Sequence, residues 1–145
     1  MGMLTLRRQT ISSINEGEGR GMRARILVID DDLALNRLLS LSLEEEGFAV
    51  RSAFDGLRAL QLLEQEDADA VVLDLHMPGM DGRAFYHELR QSKRSGIPVV
   101  LVSAHGASRA RTELGAEASL EKPFDFVQLL DILVQLTTTR GEPGG

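Results

Sequence analysis

The stretch AVVLDLHMPGMDG, residues 70–82, decides the fold. It begins with four apolar residues, and a short apolar run bounded by turn residues is typical of a buried strand. Pro78 and Gly79 then predict a turn. A single carboxylate, Asp74, stands where the buried strand ends. A charged side chain at the end of a buried strand is a candidate functional group, so the polar residues at the other strand ends must be considered with it.

Short apolar runs alternate with amphipathic segments along most of the chain. The predicted strands are RILVI (25–29), FAVRSA (48–53), DAVVLD (69–74), IPVVLVSA (97–104) and EASLEK (117–122). The predicted helices are LALNRLLSLSLEEEG (33–47), DGLRALQLLEQED (55–67), DGRAFYHELRQSK (81–93), GASRARTEL (106–114) and FDFVQLLDILVQLTT (124–138). Strands this apolar are covered on both faces, so we predict an α/β fold with a five-stranded parallel sheet and helices on each side.

Local signals set the ends and faces of the helices. Asp32, Asp55 and Asp81 stand where N-cap residues are expected, and Gly47 is expected to end the first helix. The predicted apolar face of that helix consists of Leu35, Leu38, Leu39 and Ser42.

Length and composition bound the class of protein. The 145 residues suffice for one domain with a real core, and 43% hydrophobic and 26% charged residues are ordinary for a globular protein. The absence of cysteine excludes disulfides, zinc–thiolate sites and thiol catalysis. No apolar run is long enough to span a bilayer, and the N-terminus lacks the apolar core of a secretory signal. We therefore expect a cytoplasmic protein without a membrane partner.

The charge is unevenly distributed. The net charge is −6, yet five of the 16 basic residues and only two of the 22 acidic ones precede Ile26. The remaining chain is thus more acidic than the whole, which disfavours direct binding of nucleic acid. Residues 1–23 are polar and rich in glycine, and we expect a disordered leader there, a folded domain over 24–138 and a flexible tail over 139–145.

The strand ends carry the candidate chemistry. Asp30, Asp31 and Asp32 stand at the end of the first strand, Asp74 at the end of the third, Ser103 at the end of the fourth and Lys122 at the end of the fifth. In parallel sheets, ligands bind beyond the carboxyl ends of the strands. Carboxylate oxygens suit Mg²⁺, an ammonium and a hydroxyl suit phosphoryl oxygens, and an Asp accepts phosphate as an acyl phosphate. The set predicts a magnesium-dependent phosphoryl site.

Four segments resemble the hallmark segments of the receiver domain of two-component response regulators. They are ILVIDDD (26–32), VVLDLHMPGMDG (71–82), VVLVSA (99–104) and GAEASLEKPF (115–124). The resemblance runs from Ile26 to about Leu136 and is to a stand-alone receiver like the chemotaxis regulators. It implies a flavodoxin-like, doubly wound sheet with strand order 2-1-3-4-5.

The resemblance also implies the identity of the phosphoacceptor and the metal ligands. Asp74 would accept the phosphoryl group. Asp30, Asp31, Asp74 and the backbone carbonyl of His76 would hold Mg²⁺, with Asp31 binding directly and Asp30 acting mainly through water. Such a domain is a regulatory phosphoacceptor that assists its own phosphorylation and dephosphorylation, and is not an enzyme in the ordinary sense.

The resemblance also identifies residues that would bind the phosphoryl group and a position that would transmit the signal of phosphorylation. By the same resemblance, Ser103 and Lys122 would bind the phosphoryl oxygens, and the Lys122–Pro123 bond would be cis. Ser119 stands where the family usually has an aromatic switch residue. The link from Ser103 to Lys122 is about one helical turn shorter than usual. We therefore expect weaker coupling to the usual output surface.

The expected partner is a sensor histidine kinase or a phosphotransfer protein. The chain would act as a stand-alone regulator or relay, or be a receiver cut from a larger protein. Two apolar stripes on the last helix, Val127/Leu130/Val134 and Leu129/Ile132/Leu133/Leu136, suggest a homodimer through that helix. The alternatives are a haloacid-dehalogenase-like phosphatase, which wants a second Asp where this chain has His76, and a docking module that is never phosphorylated.

Overall fold

A computed structural model describes residues 23–141. All of the predicted leader except Arg23 lies outside these residues, as do residues 142–145 of the predicted tail. Within the described part, no helix combines the length and the apolar character needed to cross a bilayer.

The described residues alternate strands and helices in the predicted order. The strands are β1 (Arg25–Ile29), β2 (Ala49–Ala53), β3 (Ala70–Asp74), β4 (Val99–Ser103) and β5 (Ala118–Glu121). The helices are α1 (Leu33–Glu45), α2 (Gly56–Gln65), α3 (Gly82–Arg90), α4 (Ala107–Leu114) and α5 (Phe126–Gly141). The boundary predicted at residue 138 falls inside α5, and α4 has only eight residues.

The five strands form one parallel sheet in the order β2-β1-β3-β4-β5, which confirms the predicted topology. Ile29 lies opposite Leu73, and Asp74 lies opposite Val102. The ends of β1, β3 and β4 are therefore adjacent at the middle of one sheet edge.

Hydrophobic residues pack against both faces of the sheet, as the apolar strands predict. On one face, alternate strand residues such as Leu27, Leu73 and Leu101 pack with Phe85 and Leu89 of α3. On the opposite face, the intervening strand residues pack with leucines of α1 and α5. The strand residues are Ile26, Val28, Val72 and Val100, and the leucines are Leu39 and Leu43 of α1 and Leu129, Leu130 and Leu133 of α5. Every residue of β3 and β4 is buried, so polar groups of these strands meet solvent only at their ends.

The predicted apolar face of α1 is wrong by about one position. The buried residues of α1 are Asn36, Leu39 and Leu43, while Leu38 is 61% exposed. The helix turns Asn36 toward the sheet because its side-chain amide bonds to backbone carbonyls there. The predicted residues instead line an apolar groove of about 580 Å³, formed by Leu35, Leu38, Leu39, Ser42, Lys122, Pro123, Phe124 and Phe126.

Only part of the predicted α5 stripe Val127/Leu130/Val134 faces solvent. Leu130 is buried together with Leu129 and Leu133, whereas Val127 is 49% and Val134 37% exposed. The face of α5 that packs on the sheet is therefore wide enough to take two adjacent leucines, and the surface left for a partner is smaller than the sequence suggested.

Gly82 lets α3 begin directly against the end of β3. Asp81 caps the helix, its Oδ1 accepting from the Ala84 N–H at 2.9 Å, and the Gly82 N–H donates to the Leu75 carbonyl at 3.1 Å. A Cβ on Gly82 would lie 2.5 Å from both the Asp74 carbonyl oxygen and the Leu75 Cα. The start of α3 thus needs a glycine to hold the chain that follows Asp74.

Gly82→Ala should lower the free energy of unfolding by about 1–3 kcal/mol, because backbone atoms must shift to admit the methyl group. Gly56→Ala is the matched control, since Gly56 also follows a capping Asp at the first position of a helix. An added Cβ there meets chiefly the flexible side chain of Met80. Urea unfolding of both variants measures the difference; equal losses would show that the close approach at Gly82 does not matter.

Candidate functional site

Three carboxylates meet at the carboxyl edge of the sheet. Side-chain oxygens of Asp30, Asp31 and Asp74 all lie within 4.8 Å of one another. Asp30 and Asp74 are only 3% and 4% exposed, whereas Asp31 faces solvent. The adjacency of β1 and β3 brings the predicted acidic residues together.

Lys122 places one ammonium group between two of these carboxylates. Its Nζ lies 3.0 Å from Asp30 Oδ2 and 3.8 Å from Asp74 Oδ1. The Lys122–Pro123 bond is cis, as the resemblance implied. A partly buried ammonium this close to two acids offsets part of their mutual repulsion.

Backbone N–H groups orient both buried carboxylates. The His76 N–H donates to Asp74 Oδ1 at 3.2 Å, and the Asp32 N–H donates to Asp30 Oδ1 at 2.9 Å. Asp32 itself caps α1, since its Oδ1 accepts from the Leu35 N–H at 3.1 Å. The side chain of His76 is exposed, and the predicted role of its carbonyl stays a prediction.

Ser103 lies at the same edge but bonds within its own loop. Its Oγ donates to the His105 carbonyl oxygen at 2.6 Å and accepts from the His105 N–H at 3.1 Å. The Ser103 carbonyl accepts from the Lys122 N–H at 2.8 Å, which ties the ends of β4 and β5 together. Ser119, at the predicted switch position, is half-buried in β5 opposite Leu101.

Asn36 supports the site and was missed at the sequence level. It is fully buried, and its Nδ2 donates to the carbonyl oxygens of Asp30 and Ala53, each at 3.0 Å, and less closely to that of Val28 at 3.4 Å. The amide thus fixes the chain leaving β1 against the end of β2. An asparagine inside an otherwise apolar stripe was the available signal, because buried polar groups need partners.

The environment of Asp74 disfavours its charged form. Burial contributes most and raises the pKa of Asp74 to about 6, against the hydrogen bond from the His76 N–H, which lowers it. The negative charges of Asp30 and Asp31 also contribute to this increase in pKa, whereas the positive charge of Lys122 opposes it. The net effect leaves a buried carboxylate whose charge the protein alone does not fully compensate.

The donor set fits a divalent cation bound by oxygen. Three clustered carboxylates, two of them buried and one exposed, are ligands that Mg²⁺ takes while it keeps several waters. A cation among them would oppose both the burial and the repulsion from Asp30 and Asp31 that raise the pKa of Asp74. The exposed side of Asp31 leaves the cluster open to solvent.

Comparisons with known sequences agree with this arrangement. Residues 26–134 match the family model described as the response regulator receiver domain. The DNA-binding dual master transcriptional regulator RpaA of Synechocystis sp. is 38% identical over 110 residues, which are 73% of this chain and 46% of that protein. The CpxR homolog of Haemophilus influenzae is 42% identical over 110 residues, 74% of this chain and 47% of that protein. The chain thus spans less than half the length of these relatives.

Solved structures of single receiver domains are also similar. The receiver domain of the Francisella response regulator 1452 superposes with a TM-score of 0.75 at 30% identity, covering 81% of this chain and 98% of that one. The chemotaxis protein CheY4 of Vibrio cholerae gives a TM-score of 0.72 at 28% identity, covering 79% and 98%. The similarity therefore includes essentially the whole of these two domains.

Asp74→Asn should raise the free energy of unfolding by about 1–3 kcal/mol at about pH 8 without divalent cations, because the neutral amide removes a costly buried charge. The folded-state pKa of about 6 lies above the ordinary value of 3.8. The gain should therefore shrink as the pH falls through about 6 and vanish below about 4, where the aspartate is protonated in both states.

Urea unfolding across this pH range measures the gain, and Mg²⁺ should reduce it by stabilising the wild-type protein. Asp55→Asn is the control, since Asp55 is exposed and asparagine caps a helix equally well. A destabilised Asp74→Asn at high pH, or a gain that grows on acidification, would contradict the electrostatic account.

Proposed function

We propose that this chain, which belongs to the response regulator receiver domain family of two-component signalling, accepts a phosphoryl group on Asp74 from a sensor histidine kinase or a phosphotransfer protein. The observation that carries the proposal is the convergence of Asp30, Asp31, Asp74 and Lys122 at one edge of the sheet. The resemblance of the whole fold to receiver domains supports the same conclusion.

Mg²⁺ is the proposed cofactor. Asp30, Asp31, Asp74 and the backbone carbonyl of His76 would hold it, with Asp31 the exposed member of the three carboxylates. The ion would supply positive charge to the phosphoryl oxygens and to the acidic cluster.

The ionised carboxylate of Asp74 is the proposed nucleophile. One of its oxygens attacks the phosphorus, the bond from phosphorus to the donor's leaving group breaks, and an acyl phosphate results. A phosphohistidine donor whose other ring nitrogen carries a proton leaves as a neutral imidazole, and the electron pair of the broken phosphorus–nitrogen bond stays on the nitrogen. The role of the surrounding protein is to position the carboxylate and to stabilise charge on the transferring group.

Lys122 and Ser103 are proposed to bind the phosphoryl oxygens. The Lys122 ammonium is 3.8 Å from Asp74 Oδ1 and has only a short distance to move. The Ser103 hydroxyl donates to the His105 carbonyl in this structure, so its O–H must turn away from that carbonyl to donate to the phosphoryl group. Phosphorylation would therefore act first on the loop that follows β4.

The protein would serve as a switch or relay and not as a turnover enzyme. The phosphatase alternative lacks its second acid, since the residue two after Asp74 is His76 with an exposed side chain. We place this chemistry in the cytoplasm, where a kinase charged by ATP would meet it. A homodimer through α5 stays a prediction, supported only by the exposed Val127 and Val134.

Incubation with acetyl phosphate and Mg²⁺ should add one phosphoryl group to the intact protein, because the carboxylate of Asp74 lies beside the Lys122 ammonium and within an acidic cluster suited to Mg²⁺. Intact-mass spectrometry measures the adduct. Asp74→Asn and EDTA should each abolish it, and Asp55→Asn should leave it unchanged. Labelling of Asp74→Asn to the wild-type extent would sink the assignment.

Asp31→Ala should weaken Mg²⁺ binding by at least about tenfold, because it removes a proposed direct ligand. Asp32→Ala is the neighbouring control and should cost less metal affinity, but about 1 kcal/mol of stability through the lost cap of α1. Metal titration and urea unfolding separate the two effects. A larger loss of Mg²⁺ affinity in Asp32→Ala would mean that the wrong residue of the acidic pair has been assigned to the metal.

A further inference from the structure

Glu121 links β5 to the loop that follows β4. Its Oε2 accepts from the Gly106 N–H at 3.3 Å, and Glu121 lies opposite Ser103 in the sheet. It directly precedes Lys122, so it stands at the same edge as the proposed phosphoryl site without belonging to the acidic cluster. This contact holds the loop between β4 and α4, which is the loop that the proposed movement of Ser103 would displace.

The contact supplies what the start of α4 lacks. Gly106 is the N-cap of α4, has a φ of 74°, and provides no side-chain cap. A carboxylate that accepts from the N–H of an N-cap residue is half of a capping box, in which it normally comes from the third residue of the same helix. Here Glu121 supplies it from the neighbouring strand. Its negative charge also suits the positive end of the helix dipole.

Two consecutive loop residues are thus held by two different side chains. Ser103 holds both backbone groups of His105, and Glu121 holds the N–H of Gly106. If the Ser103 hydroxyl turns toward a phosphoryl group on Asp74, the His105 carbonyl loses its donor and the loop is held less firmly. Gly106 is the next residue, so a loop that follows Ser103 must strain or break the bond to Glu121.

We propose that Glu121 is a positioning residue that holds the loop 104–106 in its unphosphorylated arrangement and thereby opposes the phosphorylated one. The inference rests on the proposed function, since it concerns the regulation of that same site. Coupling is reciprocal: a contact that disfavours the phosphorylated arrangement is itself disfavoured by phosphorylation. Glu121 would therefore carry the signal to β5, where Ser119 has no ring to move.

The charge of Glu121 would also oppose phosphorylation, and this effect must be separated from that of its hydrogen bond to Gly106. Its carboxylate repels a phosphoryl group through charge alone, so its removal would favour phosphorylation even without a hydrogen bond. Glutamine distinguishes the two causes, because Glu121→Gln removes the charge but keeps an oxygen that accepts from Gly106. Glu121→Ala removes both. Glu64→Ala is the control, since it removes an exposed carboxylate from α2.

The experiment titrates the 145-residue chain with beryllofluoride in saturating Mg²⁺ and follows backbone amide signals by NMR. Glu121→Ala should lower the beryllofluoride midpoint by about two- to fivefold, as expected for one solvent-exposed hydrogen bond to a charged group. Glu121→Gln should remain nearer to wild type than to Glu121→Ala, and Glu64→Ala should match wild type. Hydrogen exchange at the Gly106 amide should be faster in Glu121→Ala before any beryllofluoride is added.

Three results would overturn the inference. These are an unchanged midpoint in Glu121→Ala, an equal shift in Glu121→Gln and Glu121→Ala, and unchanged exchange at Gly106 in Glu121→Ala. Failure of the proposed function is a different outcome, since the wild-type protein would then not respond to beryllofluoride at all. In that case the exchange rate of the Gly106 amide still tests whether Glu121 holds the loop.

Discussion

The burial of the Asp74 carboxylate is the constraint on which the rest of the site depends. The strand that carries it is covered on both faces, so its charge can be compensated only at the carboxyl edge of the sheet. Asp30 and Asp31 increase the cost of that charge, and Lys122 and the His76 N–H reduce it. The acidic cluster therefore favours the binding of an added cation. A bound cation beside a carboxylate is suited to phosphoryl transfer, because the transferring group carries negative charge.

The same constraint explains several features that look unrelated in the sequence. Gly82 lets α3 start against the backbone that follows Asp74, and Asn36 fixes the chain beyond β1 so that Asp30 faces β3. Neither touches the reacting atoms. Each residue helps to hold a carboxylate close to other carboxylates that repel it. The free energy of unfolding is therefore lower than it would be without this acidic cluster, but the carboxylates are positioned for the site.

The strands, and the clustering of Asp30, Asp31 and Asp74 with Lys122, follow from the sequence by simple rules. Apolar runs identify buried strands, and strand ends in a parallel sheet meet at one edge. The exact rotation of α1 is not predictable in this way, since periodicity gives the width of an apolar stripe and a single buried Asn36 shifts its centre. The contact of Glu121 with Gly106 is also invisible in the sequence, because it joins the end of β5 to the loop after β4, which only the register of these two strands brings together.

Chemical mapping of the phosphoryl group tests the central claim most directly. Borohydride reduces an aspartyl phosphate to homoserine, which marks the acceptor permanently. The protein would be treated with a small phosphodonor and Mg²⁺, reduced, digested and sequenced by mass spectrometry. The account predicts homoserine at position 74 alone, and only when Mg²⁺ is present. Homoserine at Asp30 or Asp31, or at no position despite bound Mg²⁺, would contradict it.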